Sequence, residues 1–221
     1  MAVGEILDNK GLQGLWHLNG NWSDFSSNGY ALTPTNTPIG TKGKFGSAFQ
    51  FSSASSQYAT IAAASAPNLE ITGVQTGICW FNPTTSNSFQ ELFGKNNAGN
   101  TINRYLSVDG SARPRVILTG VTGGDLTATA TVTNGVWHFL AYVYDGSNLS
   151  LWVNLTKKSQ SASGTCTALA TTGWSIGRGG DFNGEYTNGV VDEVAIYNRA
   201  WTDTEIKNYY AWAIGRRAIV I

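Results

Sequence analysis

The side chains in this sequence best equipped for chemistry are carboxylates, and their spacing limits what they can do. In residues 183–201, NGEYTNGVVDEVAIYNRAW, Asp192 and Glu193 stand side by side in an alternating apolar run. A strand turns successive side chains to opposite faces. Val190, Asp192, Val194 and Ile196 are therefore expected on one face, with Val191, Glu193, Ala195 and Tyr197 on the other. Asp192 would then lie among aliphatic side chains. An ionised carboxylate buried there alone costs on the order of several kcal/mol, so it needs a cation or a set of hydrogen-bond donors. Retaining glycoside hydrolysis needs two carboxyl groups about 5–5.5 Å apart. Neighbours on opposite faces do not meet that demand, and Glu91 and Glu185 are isolated in the sequence. His17 and His138 each follow a Trp within an alternating run and read as packing residues; no nucleophile motif that would complete a triad lies near either. Gly177-Arg178-Gly179-Gly180 lacks the strand–turn–helix setting of a dinucleotide site. No catalytic activity is expected.

The elements that must position these groups are short strands. Alternating or apolar runs recur at 77–81, 90–95, 104–108, 115–118, 125–130, 136–144, 148–154, 165–170 and 174–178, separated by Gly, Asn and Asp turns. That spacing predicts a sandwich or barrel. Asp145-Gly146 between two alternating flanks is a hairpin signal, and Asn188-Gly189 predicts a turn at the head of the last strand. Thr202-x-x-Glu205 is a capping box that opens the single predicted helix, residues 202–214. The chain reads as one all-β domain over residues 1–221, with a short lead-in at 1–13 and a C-terminal helix and apolar tail at 202–221. The sheets are expected to form an antiparallel two-sheet jelly-roll β-sandwich. The tail ends Ala-Ile-Val-Ile. Such a segment is suited to adding a strand to another copy or to a coat protein, giving a homo-oligomer or a surface assembly.

Composition removes several function classes. The 221 residues carry 14 basic and 14 acidic side chains, a net charge of zero with no basic patch, so nucleic acid is not an expected partner. No apolar run approaches the ~18 residues of a membrane span. MAVGEILDNK lacks the pattern of a secretory signal. A location outside the cell or on a virion surface would then mean either that a signal has been removed or that the destination is reached another way, such as release of a particle by lysis. Cys79 and Cys166 read as buried thiols, with a disulfide as the alternative.

Several pieces, in order, resemble the laminin-G-like, or concanavalin A-like, jelly-roll family, especially its bacterial and phage branch. They are GLWHLNG, SDFSSNGYAL, KGKFGSAFQFSSASSQYATI, NGVWHFLAYVYDGSNLSLWVN, WSIGR and NGVVDEVAIYNRAWTDTEI. Trp201 replaces the usual Leu, and Asn154 stands where Asp is common. The resemblance implies a structural Ca²⁺ held by Asp24, Asn28 and Asp192 with carbonyls near Gly43; the alternative is that Asp24 makes an Asx-turn and Asp192 accepts backbone N–H bonds. The E-x-D-x-x-E strand of the glucanases that share this fold is not present. The resemblance further implies sugar binding, which uses aromatic platforms with amides and charges beside them. Trp16, Trp80, Trp137 and Trp174 read as core, leaving Trp22, Tyr105, Trp152 and Tyr186 as platforms and Arg104, Arg115, Asn183 and Glu185 as polar contacts. The expectation is a non-catalytic binding or adhesion module for glycans. The alternative is a decoration or fibre subunit, and a glycoside hydrolase ranks behind both.

Overall fold

A computed structural model describes residues 9–179 and 184–215. The strands, in chain order, are β1 (Leu12–Trp16), β2 (Thr33–Thr35), β3 (Ile39–Lys42), β4 (Ser47–Phe51), β5 (Tyr58–Ile61), β6 (Gln75–Pro83), β7 (Gln90–Asn96), β8 (Asn103–Val108) and β9 (Pro114–Leu118). They continue as β10 (Val121–Thr122), β11 (Asp125–Thr127), β12 (His138–Tyr144), β13 (Asn148–Val153), β14 (Thr156–Ser161), β15 (Ser163–Gly164), β16 (Trp174–Ile176) and β17 (Gly189–Tyr197), before helix α1 (Asp203–Ala213). One sheet runs β14-β13-β12-β6-β17-β4-β3, with β1 also on β17. The other runs β11-β9-β8-β7-β16-β5-β2. Strand pairing is antiparallel throughout both sheets. This is the two-sheet sandwich expected, with the short helix at its C-terminal end.

Alternation places one side chain set between the sheets. Phe51, Phe81, Phe93, Leu106, Tyr142 and Val191 belong to that core and are almost wholly buried. A second cluster covers the outer face of the first sheet, where Ile206 and Tyr209 of α1 pack against Trp80, Phe139 and Trp152. Cys79 and Cys166 are buried free thiols.

Three local expectations need correction. Residues 165–170 hold no strand; the nearest is the two-residue β15, paired with β10. Asn188-Gly189 is no left-handed turn, since neither residue has positive φ among the described backbone. Gly189 already pairs with Phe51 and Pro83 inside β17, and a Cβ there would meet Asn82 O at 2.6 Å and the Phe81 ring at 2.7 Å. Glycine is needed for close packing at that point. Finally, β17 does not alternate cleanly. Its register to β6 slips between Asp192 and Ala195, and Glu193 sits at φ +53°. This bulge exchanges the faces. Val191, Val194 and Ile196 point into the inter-sheet core, whereas Ala195 and Tyr197 lie in the cluster beneath α1. The apolar end of the C-terminal tail expected to mediate assembly, residues 218–221, lies outside the described residues.

α1 is capped as its sequence predicts: Thr202 Oγ1 accepts from Glu205 N at 3.2 Å, and Glu205 Oε2 accepts from Thr202 N at 2.6 Å. Thr202→Ala should lower stability by about 1 kcal/mol, read by chemical denaturation. No change would mean the helix start carries no share of the folding free energy.

Candidate functional site

The centre of the first sheet holds two adjacent carboxylates. Asp192 and Glu193 are both 0% exposed. The bulge brings both near Tyr209 of α1, correcting the expectation of opposite faces. The β3–β4 hairpin arches over Asp192. Phe45 N donates to Asp192 Oδ2 at 3.0 Å, and Gly43 has no room for a Cβ, which would stand 2.7 Å from that oxygen. The hairpin in turn reaches the helix, because the Phe45 ring stacks on Trp212 with centroids 5.0 Å apart. Glu193 is held by His17, whose Nδ1 lies 2.7 Å from Glu193 Oε2. Burial alone would lower the His17 pKa, but the Glu193 hydrogen bond and charge raise it. Burial pushes Asp192 up to about 7 against the Phe45 N–H bond. Asp192 Oδ1 and Glu193 Oε1 have no hydrogen-bond partner among the described residues.

The three residues expected to share Ca²⁺ do not fit a common ion. Asp24 Oδ1 accepts from Leu15 N and Ser26 N, both at 2.8 Å. Its Oδ2 accepts from Tyr30 N and Ser26 Oγ, both at 2.7 Å. Four donors fill the roughly four lone-pair positions of a carboxylate. Asn28 donates to Gln13 O at 2.9 Å and accepts from Asn68 Nδ2 at 2.9 Å. None of these partners is shared with Asp192. Among the described residues no three His, Cys, Asp or Glu side chains converge as a metal centre does. Asp24 is therefore the Asx-turn keystone of its loop, and Asp192 an acceptor of backbone N–H.

The outer face of the second sheet carries a different acid pair, which sequence separation concealed. Segment 185–188 runs beside β7: Glu91 N donates to Glu185 O at 3.0 Å, and Thr187 Oγ1 donates to Glu91 O at 2.7 Å. The two glutamates thereby meet and share a hydrogen bond. Glu91 is 0% exposed; burial first, then the Glu185 charge, push its pKa up to about 9. Burial also raises Glu185. A Cβ on Gly179 would overlap the Glu91 carboxyl group, so only glycine can close over it there. Beside the pair, Tyr58 and Tyr186 stand partly exposed, with ring centroids 6.2 Å apart. The Arg178 guanidinium lies 3.9 Å from the Tyr58 ring centroid.

The expected ligand-binding residues scatter. Arg104 is 1% exposed and structural: it donates to Ile71 O, Thr167 O and Glu70 Oε1 at 2.8, 2.7 and 2.8 Å. Trp152 is 2% exposed beneath α1, and Tyr105 is 3% exposed with Phe89 edge-on to it. These three were expected at the surface; a β-strand's second face is buried wherever a helix or loop covers it. Trp22 gives one face to Phe49, stacked at 3.8 Å. Arg115 is paired with Asp125 through Nε at 2.8 Å. Tyr186 stands on the candidate face. Asn183 lies outside the described residues. Conversely Trp137, expected in the core, is partly exposed.

Glu91 has a pH signature. Between the ordinary carboxylate value of 4.5 and about 9, the unfolded chain has lost a proton that folded Glu91 keeps. Folding takes up that proton, so stability falls as pH rises through this window. Glu91→Gln, which has no proton to keep, should gain on wild type by up to about 1.4 kcal/mol per pH unit between about pH 5.5 and about pH 8. Parallel pH–stability curves would mean that folded Glu91 is ionised.

No curated protein sequence matches the chain. Among solved structures, the chain is similar to domain 4 of AbnA, an extracellular arabinanase from Geobacillus stearothermophilus solved with arabinotriose; the TM-score is 0.69 at 17% identity, covering 92% of this chain and all (100%) of that domain. It is similar to the binding domain of Paraclostridial Mosquitocidal Protein 1, with TM-score 0.73 at 12% identity, and spans 93% of this chain but only 53% of that one. Trypanosoma rangeli sialidase, solved with sialic acid, matches with TM-score 0.65 at 14% identity over 91% of this chain and 33% of that one. At such identities the shared property is the fold. A family model of the laminin-G type, described as the concanavalin A-like lectin/glucanases superfamily, matches residues 53–207, well over half the sequence, and the chain belongs to that family.

Proposed function

We propose that this chain is a non-catalytic glycan-binding module acting outside the cell or at a surface, and that it binds through the outer face of the second sheet. The observation that carries this reading is the partly exposed Tyr58–Tyr186 pair, flanked by the Arg178 guanidinium and the Glu185 carboxyl group. Two partly exposed rings suit the apolar faces of successive sugar residues, the partly exposed Glu185 carboxyl group suits a hydroxyl, and the buried Arg178 guanidinium backs the Tyr58 ring. Family membership and the sugar-bearing neighbours support the same class of ligand.

A hydrolytic reading is weaker on geometry. Glu91 and Glu185 touch, whereas retaining and inverting glycosidases need room between their carboxyl groups for a sugar carbon or a water. Glu91 is also sealed from solvent by Gly179 and cannot reach a substrate.

A panel of neutral oligosaccharides, followed by calorimetry on the best binder, tests the proposal. Tyr58→Ala and Tyr186→Ala should each weaken binding by roughly tenfold, the loss of one stacked ring, with no sugar cleaved. Unchanged affinity in both variants would remove this face as the site, and turnover of the sugar would overturn the non-catalytic reading.

A further inference from the structure

The outer face of the first sheet is only half covered. α1 lies over Trp80, Phe139 and Trp152. Beyond it, cross-strand register lines up Ile39, Gln50, Val190 and Asn82 as one row on the open half. Ile39 is 64% exposed there. A cleft of about 500 Å³, within the range of small-ligand sites, opens at the Asn82 end of this row. Its walls are Lys42, Gly43 and Lys44 of the β3–β4 hairpin on one side and Gly135 and Trp137 on the other, with Asn82 between them.

The chemistry of these walls is asymmetric. Neither lysine pairs with a carboxylate among the described residues. The Lys44 ammonium lies 4.4 Å over the Trp80 ring, and no hydrogen bond from it to a described residue competes with a ligand. Among the described residues no acidic side chain lines the cleft. The Asn82 amide, partly exposed, makes no side-chain hydrogen bond to a described residue and offers both a donor and an acceptor. Trp137 adds a partly exposed indole. Two unneutralised ammonium groups, an amide and an aromatic face in one cleft match a sugar that carries a carboxylate.

We infer that this cleft is a second carbohydrate site, selective for an acidic sugar residue: Lys42 and Lys44 take the carboxylate, Trp137 the ring and Asn82 a hydroxyl. It lies on the opposite side of the sandwich from Tyr58 and Tyr186 and does not depend on the reading of that face. A uronic acid and a sialic acid present the same carboxylate-on-a-ring chemistry, so both are tested. Calorimetry would use the full chain with a galacturonic acid tetrasaccharide, its methyl ester, and a sialylated trisaccharide. At least one of the two acidic sugars should bind. Roughly tenfold or greater weakening is expected in the Lys42→Gln/Lys44→Met double variant and in Trp137→Ala, with Tyr186→Ala behaving as wild type. Raised salt should weaken binding as it screens an exposed charge pair. If the tetrasaccharide binds, its methyl ester should bind at least roughly tenfold more weakly. Unfolding curves of the variants superimposed on wild type separate loss of the site from loss of the fold, and Asn82→Ala supplies a third variant that leaves the hairpin intact. Absence of binding by both acidic sugars, equal affinity for the ester, or affinity that moves with Tyr186 and not with the lysines would overturn the inference.

Discussion

The structure depends on keeping two adjacent carboxylates dry in its central strand. β17 bonds β6 on one side and β4 and β1 on the other, so any distortion in it reaches half the first sheet. Asp192 and Glu193 are wholly buried on that strand, where an unpartnered charge would cost on the order of several kcal/mol. A one-residue bulge at Glu193 brings both acids to the outer side, near Tyr209. There a hairpin donates to one and a histidine holds the other. The hairpin can approach because Gly43 has no side chain, and its Phe45 locks onto Trp212 of the helix. The glycine-lysine hairpin, the acidic strand and the C-terminal helix thus form one mechanical unit.

The second sheet handles a buried acid by another route. No lysine or histidine among the described residues pairs with Glu91; burial raises its pKa, Asn96 Nδ2 donates to Oε1 at 3.2 Å, and it shares a hydrogen bond with Glu185. That bond, with Glu91 N to Glu185 O and Thr187 Oγ1 to Glu91 O, ties segment 185–188 to β7. Tyr186 is carried on this segment, so a ring that would otherwise ride on a loose loop is set against Tyr58. Pre-ordering of an aromatic platform lowers the entropy lost on binding.

The two outer faces differ in charge logic. On the second sheet, Arg115 is matched by Asp125, and the Arg178 guanidinium lies on the Tyr58 ring with Glu185 nearby. On the first, Lys42 and Lys44 stand at the cleft without a carboxylate partner among the described residues, while Asp192, beneath the same hairpin, accepts from Phe45 N through Oδ2.

The sequence alone determined the sandwich, the final helix and the absence of a catalytic strand motif. Periods of two, turn residues and a Thr-x-x-Glu cap are local signals that most of the local geometry follows, although residues 165–170 form no strand and Asn188-Gly189 makes no left-handed turn. It also singled out Asp192 as a group in need of partners, since desolvation cost follows from residue type and neighbours. Tertiary structure decided the rest. The bulge at Glu193 depends on pairing with β6 and reversed the inferred faces. Glu91 and Glu185 meet across 94 residues of chain only because segment 185–188 lies along β7. Exposure was least legible: Trp152, Tyr105 and Arg104 occupy strand positions like that of Tyr58, yet the first three are covered and Tyr58 is partly exposed. Which strand face is sealed is set by where a helix or loop from elsewhere in the chain comes to rest, and no local pattern carries that information.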